Sequence, residues 1–117
     1  MPKITTNGIN LYYETYGGAG KPLVLISGLG YSLWQWHRML PFLAEHFKVI
    51  TFDNRGVGQS DRPAGPYTAQ MLATDTVGLL NGLGIEKAIV MGHSMGGFIA
   101  QAITLDFPQM VEKLILC

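Results

Sequence analysis

The sequence predicts an α/β protein: a mostly parallel sheet of about six strands, opened by an antiparallel hairpin and carrying three main helices. Two observations predict this architecture. From Leu23 onward, short wholly apolar runs alternate with longer runs of helical spacing, the pattern of a parallel sheet with crossover helices. Before them, two alternating segments meet at Asn7-Gly8, a strong signal for a two-residue hairpin. There are no internal repeats, linkers or low-complexity tracts, and 117 residues make one domain at most.

In chain order, Lys3–Thr6 and Ile9–Tyr16 form the expected hairpin. Gly17–Pro22 is a loop. Its Gly-Lys pair suggests a phosphate loop, but Thr15 stands where the first glycine belongs and Pro22 replaces the Ser/Thr, so a turn is expected. Leu23–Ile26 is a buried strand running into Ser27-Gly28-Leu29-Gly30. An aromatic segment, Tyr31–Trp36, follows, and the spacing predicts a helix from about Leu33 to about His46. Lys48–Phe52 is the next strand, ending in the polar, Gly-rich loop Asp53–Ser60. Tyr67–Leu83 has helical spacing at Met71, Leu72, Val77, Leu79 and Leu80, with Gly82 and Gly84 as the stop. Ala88–Met91 is a wholly apolar strand, Phe98–Leu105 a mostly buried helix closed by Pro108, and Lys113–Cys117 a last strand.

Composition narrows the function classes. Eight basic and eight acidic residues give no net charge, and no basic block or stripe is present, which argues against nucleic acid and anionic membrane partners. No apolar run reaches the ~18 residues of a membrane span, and the N-terminus lacks the apolar core of a signal peptide. The single cysteine, Cys117, allows no internal disulfide, so a cytoplasmic location and a buried strand thiol are expected. Charged residues make up only 14% of the chain, against about 25% in ordinary soluble domains. The composition resembles the interior of something larger.

The chain is organised around Gly92-His93-Ser94-Met95-Gly96. It follows a buried strand and precedes a helix, and a G-x-S-x-G motif in that setting resembles the nucleophile elbow of the serine α/β-hydrolases. The chemistry explains the spacing. Ser94 must stand at the tip of a tight, strained turn so that its oxygen projects freely. Strand and helix then nearly touch two residues to either side, which calls for Gly92 and Gly96. The helix start adds unpaired N–H groups and a positive dipole end near Ser94.

The resemblance implies further roles. One oxyanion donor would be the Met95 N–H, on the residue after the nucleophile; the other would be the Leu29 N–H, with Gly28 keeping the approach open. The family's usual His-Gly-x reads Ser27-Gly28-Leu29 here, a departure that affects the local hydrogen bonding of the loop. Asp53-Asn54-Arg55-Gly56-Val57-Gly58-Gln59-Ser60 also resembles the family, and Asp53 and Arg55 are expected to tie that loop near the catalytic face. A dinucleotide reading of Gly28-x-Gly30 with Asp53 fails at Leu33, where the third glycine belongs, and leaves the elbow without a place.

A serine is a weak nucleophile until a base takes its proton, and the family orders its triad Ser, acid, His. No histidine follows Ser94. His93 should point away, His46 lies ahead of its strand at the opposite end of the sheet, and His37 more naturally lines a wall or caps its helix. Asp106 and Glu112 flank a turn at the wrong end. Residues 1–117 are therefore expected to be the N-terminal portion of a hydrolase domain, without the last two strands, the cap, the triad acid and the histidine. The intact parent would resemble carboxylesterases, 3-oxoadipate enol-lactonases and carbon–carbon hydrolases. It would cleave a small-molecule ester or lactone without cofactor or metal; serine in place of aspartate disfavours dehalogenases and epoxide hydrolases. The alternative is a non-enzymatic α/β module that associates with itself, as a homodimer, or with a complementary C-terminal half. The resemblance implies the strand order 1-2-4-3-5-6, which makes the last strand an unprotected edge and leaves a bare sheet face beside the helix of Leu33–Glu45.

Overall fold

The computed structural model describes residues 2–117. Six strands form one sheet in the order β1-β2-β4-β3-β5-β6, as expected. β1 (Lys3–Thr6) and β2 (Ile9–Tyr16) are joined at Asn7 and Gly8, whose φ angles of 51° and 80° are those of a tight hairpin turn with positive φ at both centres. β2 pairs antiparallel with β4 (Phe47–Phe52). From there β4, β3 (Lys21–Ile26), β5 (Ala88–Gly92) and β6 (Val111–Leu116) are parallel, so the loops after β3, β4 and β5 emerge at one end of the sheet.

Alternation along each parallel strand divides the core into two layers. Val24, Ile26, Ile50, Phe52 and Val90 face two long helices, α2 (Ala69–Gly82) and α3 (Met95–Asp106), which contribute Leu72, Leu79, Leu80, Ile99 and Ile103. Leu23, Leu25, Val49, Ile89 and Met91 face the opposite layer, where Trp36 is buried with them. α2 begins at Thr68, whose hydroxyl accepts from the Met71 N–H, and ends at Gly84, which takes the left-handed conformation at φ 75°.

Two expectations need correction. The helix expected from Leu33 to about His46 is broken into a 3₁₀ turn, Leu33–Trp36, and a single helical turn, α1 (Leu40–Leu43). Pro41 explains the break. Inside a continuous helix it would leave the His37 carbonyl unpaired and clash with it, whereas in the first turn of α1 its missing N–H costs nothing. The sheet face beside this segment is also less bare than expected. Leu23, Leu25, Val49, Ile89 and Met91 are all buried, with Leu40, Leu43, Phe47 and Tyr16 packed around them. The edge strand β6 is uncovered, and every residue after Val111 on it is exposed. No helix among the described residues is long and apolar enough to cross a membrane.

Candidate active site

The loops at the ends of β3, β4 and β5 converge, and the 3₁₀ turn Leu33–Trp36 bonds to all three. The Leu33 N–H donates to Asp53 Oδ1 (2.7 Å) in the loop after β4. The indole N–H of Trp36 donates to Ser27 Oγ (3.0 Å) in the loop after β3, and Ser27 in turn donates to the Ser32 carbonyl (3.3 Å). Gln35 reaches both the loop after β3 and the turn after β5: the Gly28 N–H donates to its Oε1 (3.1 Å), and its Nε2 lies 2.6 Å from His93 Nδ1. Ser27, the departure from the family's His-Gly-x, thus has a defined task as the hydroxyl that links Trp36 to the loop.

The turn after β5 has the expected strain. Ser94 sits at φ 56°, ψ −118°, a conformation that non-glycine residues rarely adopt. It is exposed at the tip between β5 and α3, and among the described residues its hydroxyl has no hydrogen-bond partner. The Gly96 N–H donates to the His93 carbonyl and the Gly97 N–H to that of Ser94, closing the turn. The close approach at Gly92 is the expected one, since a Cβ there would lie 2.1 Å from the Gly96 carbonyl oxygen. Gly96 is constrained from another direction: a Cβ there would lie 2.1 Å from the Ile26 carbonyl oxygen at the end of β3. A Cβ on Gly28 would lie 3.4 Å from Ser94 Cβ, so the β3 loop runs directly alongside the serine.

The backbone N–H of Leu29 and that of Met95, the first residue of α3, have no acceptor within the described residues. A cavity of about 280 Å³ opens beside these two residues, lined also by Val57, Tyr67, Leu72 and Asn54. Leu29 itself is exposed.

Asp53 and Arg55 tie the β4 loop as expected. Asp53 accepts from Leu33 through one oxygen and from the Gln59 N–H (2.9 Å) through the other. Arg55 donates twice to Asp75 on α2, at 2.7 and 2.8 Å, and both side chains are buried. Asp75 also accepts from Asn7 Nδ2 (2.9 Å), which joins the hairpin turn to the same network. The Asp75 carboxylate raises the Arg55 pKa further above its ordinary value.

The three histidines do not supply a base to Ser94. His93 is turned toward Gln35, His37 stacks on Trp34 with ring centroids 3.9 Å apart, and His46 lies ahead of β4 at the opposite end of the sheet. Glu112 is at that opposite end too, paired with Lys21 (2.7 Å) at the start of β3, and Asp106 closes the far end of α3. Cys117 departs from the buried thiol expected of it. It is exposed, because the strand it follows is an uncovered edge; its carbonyl accepts from the Ser94 N–H (3.4 Å) and its own N–H donates to the Gly92 carbonyl (3.1 Å).

Asp75 and Gln35 were not singled out from the sequence. Asp75 had a usable signal: it falls between Leu72 and Leu79 on the apolar stripe of α2, where a carboxylate demands a buried cation. Gln35, a polar residue between two tryptophans on a predicted helix, had none.

A family model described as the alpha/beta hydrolase fold matches residues 21–117, and the chain belongs to that family. Among proteins of known identity it is 35% identical over 114 residues to 3-oxoadipate enol-lactonase 2 of Acinetobacter baylyi, a match covering 97% of this chain and 43% of the relative. It is 39% identical over 110 residues to a soluble epoxide hydrolase of Corynebacterium sp., covering 94% of this chain and 38% of the relative. The crystal structure of an enol-lactonase from Burkholderia xenovorans superposes with a TM-score of 0.94 at 35% identity, covering 97% of this chain and 45% of that one. The chain thus spans about two-fifths of the length of these relatives.

If the backbone at Ser94 is strained, glycine should relieve it. Strain of this kind costs about 1–3 kcal/mol, and glycine loses about 0.5–1 kcal/mol of that gain to its extra unfolded freedom. Ser94→Gly is therefore expected to raise the urea midpoint, by about 1 kcal/mol of stability. A lowered midpoint would mean that the turn stores no strain.

Proposed function

We propose that this chain carries the nucleophile, Ser94, and the two oxyanion donors, the N–H groups of Leu29 and Met95, of a serine hydrolase acting on carboxylic esters or lactones. The triad acid and histidine are supplied by polypeptide outside these 117 residues. The observation that carries the reading is the backbone of Ser94, held at positive φ at the tip of a strand–turn–helix with its hydroxyl exposed and unpartnered. In such a site a base takes the hydroxyl proton as the oxygen attacks the substrate carbonyl. The oxyanion that forms faces the two free N–H groups, the leaving alkoxide takes up the proton, and water then cleaves the acyl-serine. None of these steps needs a cofactor. One relative is an epoxide hydrolase; the hydroxyl at position 94 supports acyl-serine chemistry instead, and the enol-lactonase relatives support the ester and lactone class. With one cysteine among its 117 residues, this chain suits a reducing cytoplasm.

On its own the chain should show little activity. Even complete enzymes deprived of a triad member retain only about 10³–10⁴-fold acceleration over water, and less is expected here. Turnover of a short p-nitrophenyl ester by wild type and Ser94→Ala tests this. Turnover near ~10 s⁻¹ that disappears in Ser94→Ala would place a working base within these residues.

A second reading, a non-enzymatic module that associates with itself or with a complementary half, is favoured by β6. Leu114, Ile115 and Leu116 are 36–52% exposed on an edge strand that carries no proline. Sedimentation velocity at micromolar concentration should then show a homodimer. A single 12.8 kDa species, stable on dilution, would contradict it.

A further inference from the structure

We infer that Gln35 is a positioning residue that couples the β3 loop, which carries the Leu29 N–H, to the β5 elbow, which carries the Met95 N–H. Its effect on catalysis rests on the role proposed for Ser94; the coupling itself does not. A single side-chain amide spans the two segments. The Gly28 N–H is a backbone donor and can only donate, so the atom 3.1 Å from it is the Gln35 oxygen. The amide nitrogen then faces His93 Nδ1 at 2.6 Å, and Nδ1 must be the acceptor. The imidazole is therefore held as the tautomer with its proton on Nε2. Gly28 immediately precedes Leu29, and His93 immediately precedes Ser94, so the amide acts one or two residues from both oxyanion donors.

Gln35 is itself well anchored. Its neighbours in the 3₁₀ turn are fixed by the Leu33 N–H on Asp53 and the Trp36 indole on Ser27. Among the described residues, neither the Gly28 N–H nor His93 Nδ1 has another partner. Without the amide, the His93 N–H on the Ile26 carbonyl (3.2 Å) still ties the strand ends, but no hydrogen bond would join Gly28 to the elbow. A misplacement of about 1 Å in a reacting constellation can cost about a hundredfold in rate, and one oxyanion donor is worth about 10²–10³.

Gln35→Leu removes both hydrogen bonds. Gln35→Glu keeps an acceptor for Gly28 but presents an acceptor to His93 as well, which favours a proton on Nδ1. The full chain, labelled with ¹⁵N, gives three readouts at one neutral pH. The His93 ring nitrogens should show an unprotonated Nδ1 in wild type, a protonated Nδ1 in Gln35→Glu and no fixed preference in Gln35→Leu. The Gly28 amide should lose protection from exchange in Gln35→Leu and keep it in Gln35→Glu. Labelling of Ser94 by a fluorophosphonate probe should slow about tenfold in Gln35→Leu, a partial loss of one donor. An unchanged His93 ring in both variants, or wild-type labelling in Gln35→Leu, would overturn the inference. If wild type labels too slowly to compare, as a serine without its base can, the coupling is decided by the Leu29 and Met95 amide resonances, and the role of Ser94 by labelling in the complemented complex. Both move in Gln35→Leu if the segments are joined; movement of Leu29 alone would refute the coupling.

Discussion

Asp75→Ala is expected to lower the unfolding free energy by about 3–5 kcal/mol, the usual cost of leaving a buried charge without its partner. The Arg55 and Asp75 side chains are 8% and 1% exposed, and their two hydrogen bonds join the β4 loop to α2. Removing the carboxylate strands the guanidinium and also leaves Asn7 Nδ2 without its acceptor, freeing the hairpin turn. Against a typical domain stability of about 5–15 kcal/mol, the loss is large. Urea unfolding followed by circular dichroism measures it. An apolar pair, Arg55→Met with Asp75→Leu, should recover most of the loss, since the penalty lies in the orphaned charge rather than in the missing bridge. A cost below about 1 kcal/mol for Asp75→Ala would equate the pair with an exposed salt bridge.

Gly92→Ala should be nearly as damaging, at about 3 kcal/mol, the upper part of the range for overpacking a tight site. The added Cβ would meet the Gly96 carbonyl oxygen at 2.1 Å and the Gly97 nitrogen at 2.7 Å. These are backbone atoms of the first turn of α3 and cannot rotate away as a side chain would. Relief requires α3 to move off β5, so Ser94 should also lose its strained φ. The same substitution at Gly18, which like Gly92 is not at positive φ but has nothing within 4 Å, serves as the control. Equal losses at the two positions would show that the strand–helix approach does not set the requirement for glycine at Gly92.

The parts legible in the sequence were those written in local patterns. The hairpin follows from Asn7-Gly8, and the elbow follows from two glycines at fixed distances from Ser94, because the steric demand acts between residues close in sequence. The strand order followed from resemblance, and the sheet has that order. Long-range polar contacts were not legible. Asp75 and Asn7 are 68 residues apart, and Gln35 and His93 are 58 apart; no periodicity links such residues. The segment after Trp36 misled for a different reason. Leu33, Trp36, Leu40 and Leu43 have helical spacing, and Trp36, Leu40 and Leu43 do pack into one layer, but Pro41 divides the segment into two short turns. The burial of Cys117 was misjudged because its apolar strand has no neighbour beyond it among the described residues.

The most direct measurement is fluorophosphonate labelling of Ser94, read by intact mass, after co-expression of this chain with the C-terminal part of an α/β-hydrolase relative. If Ser94 is a nucleophile awaiting its base, a complex should form and Ser94 should label much faster than in the chain alone, with no labelling in Ser94→Ala. A complex recovered in good yield whose Ser94 stays unlabelled would contradict the assignment of this elbow as catalytic.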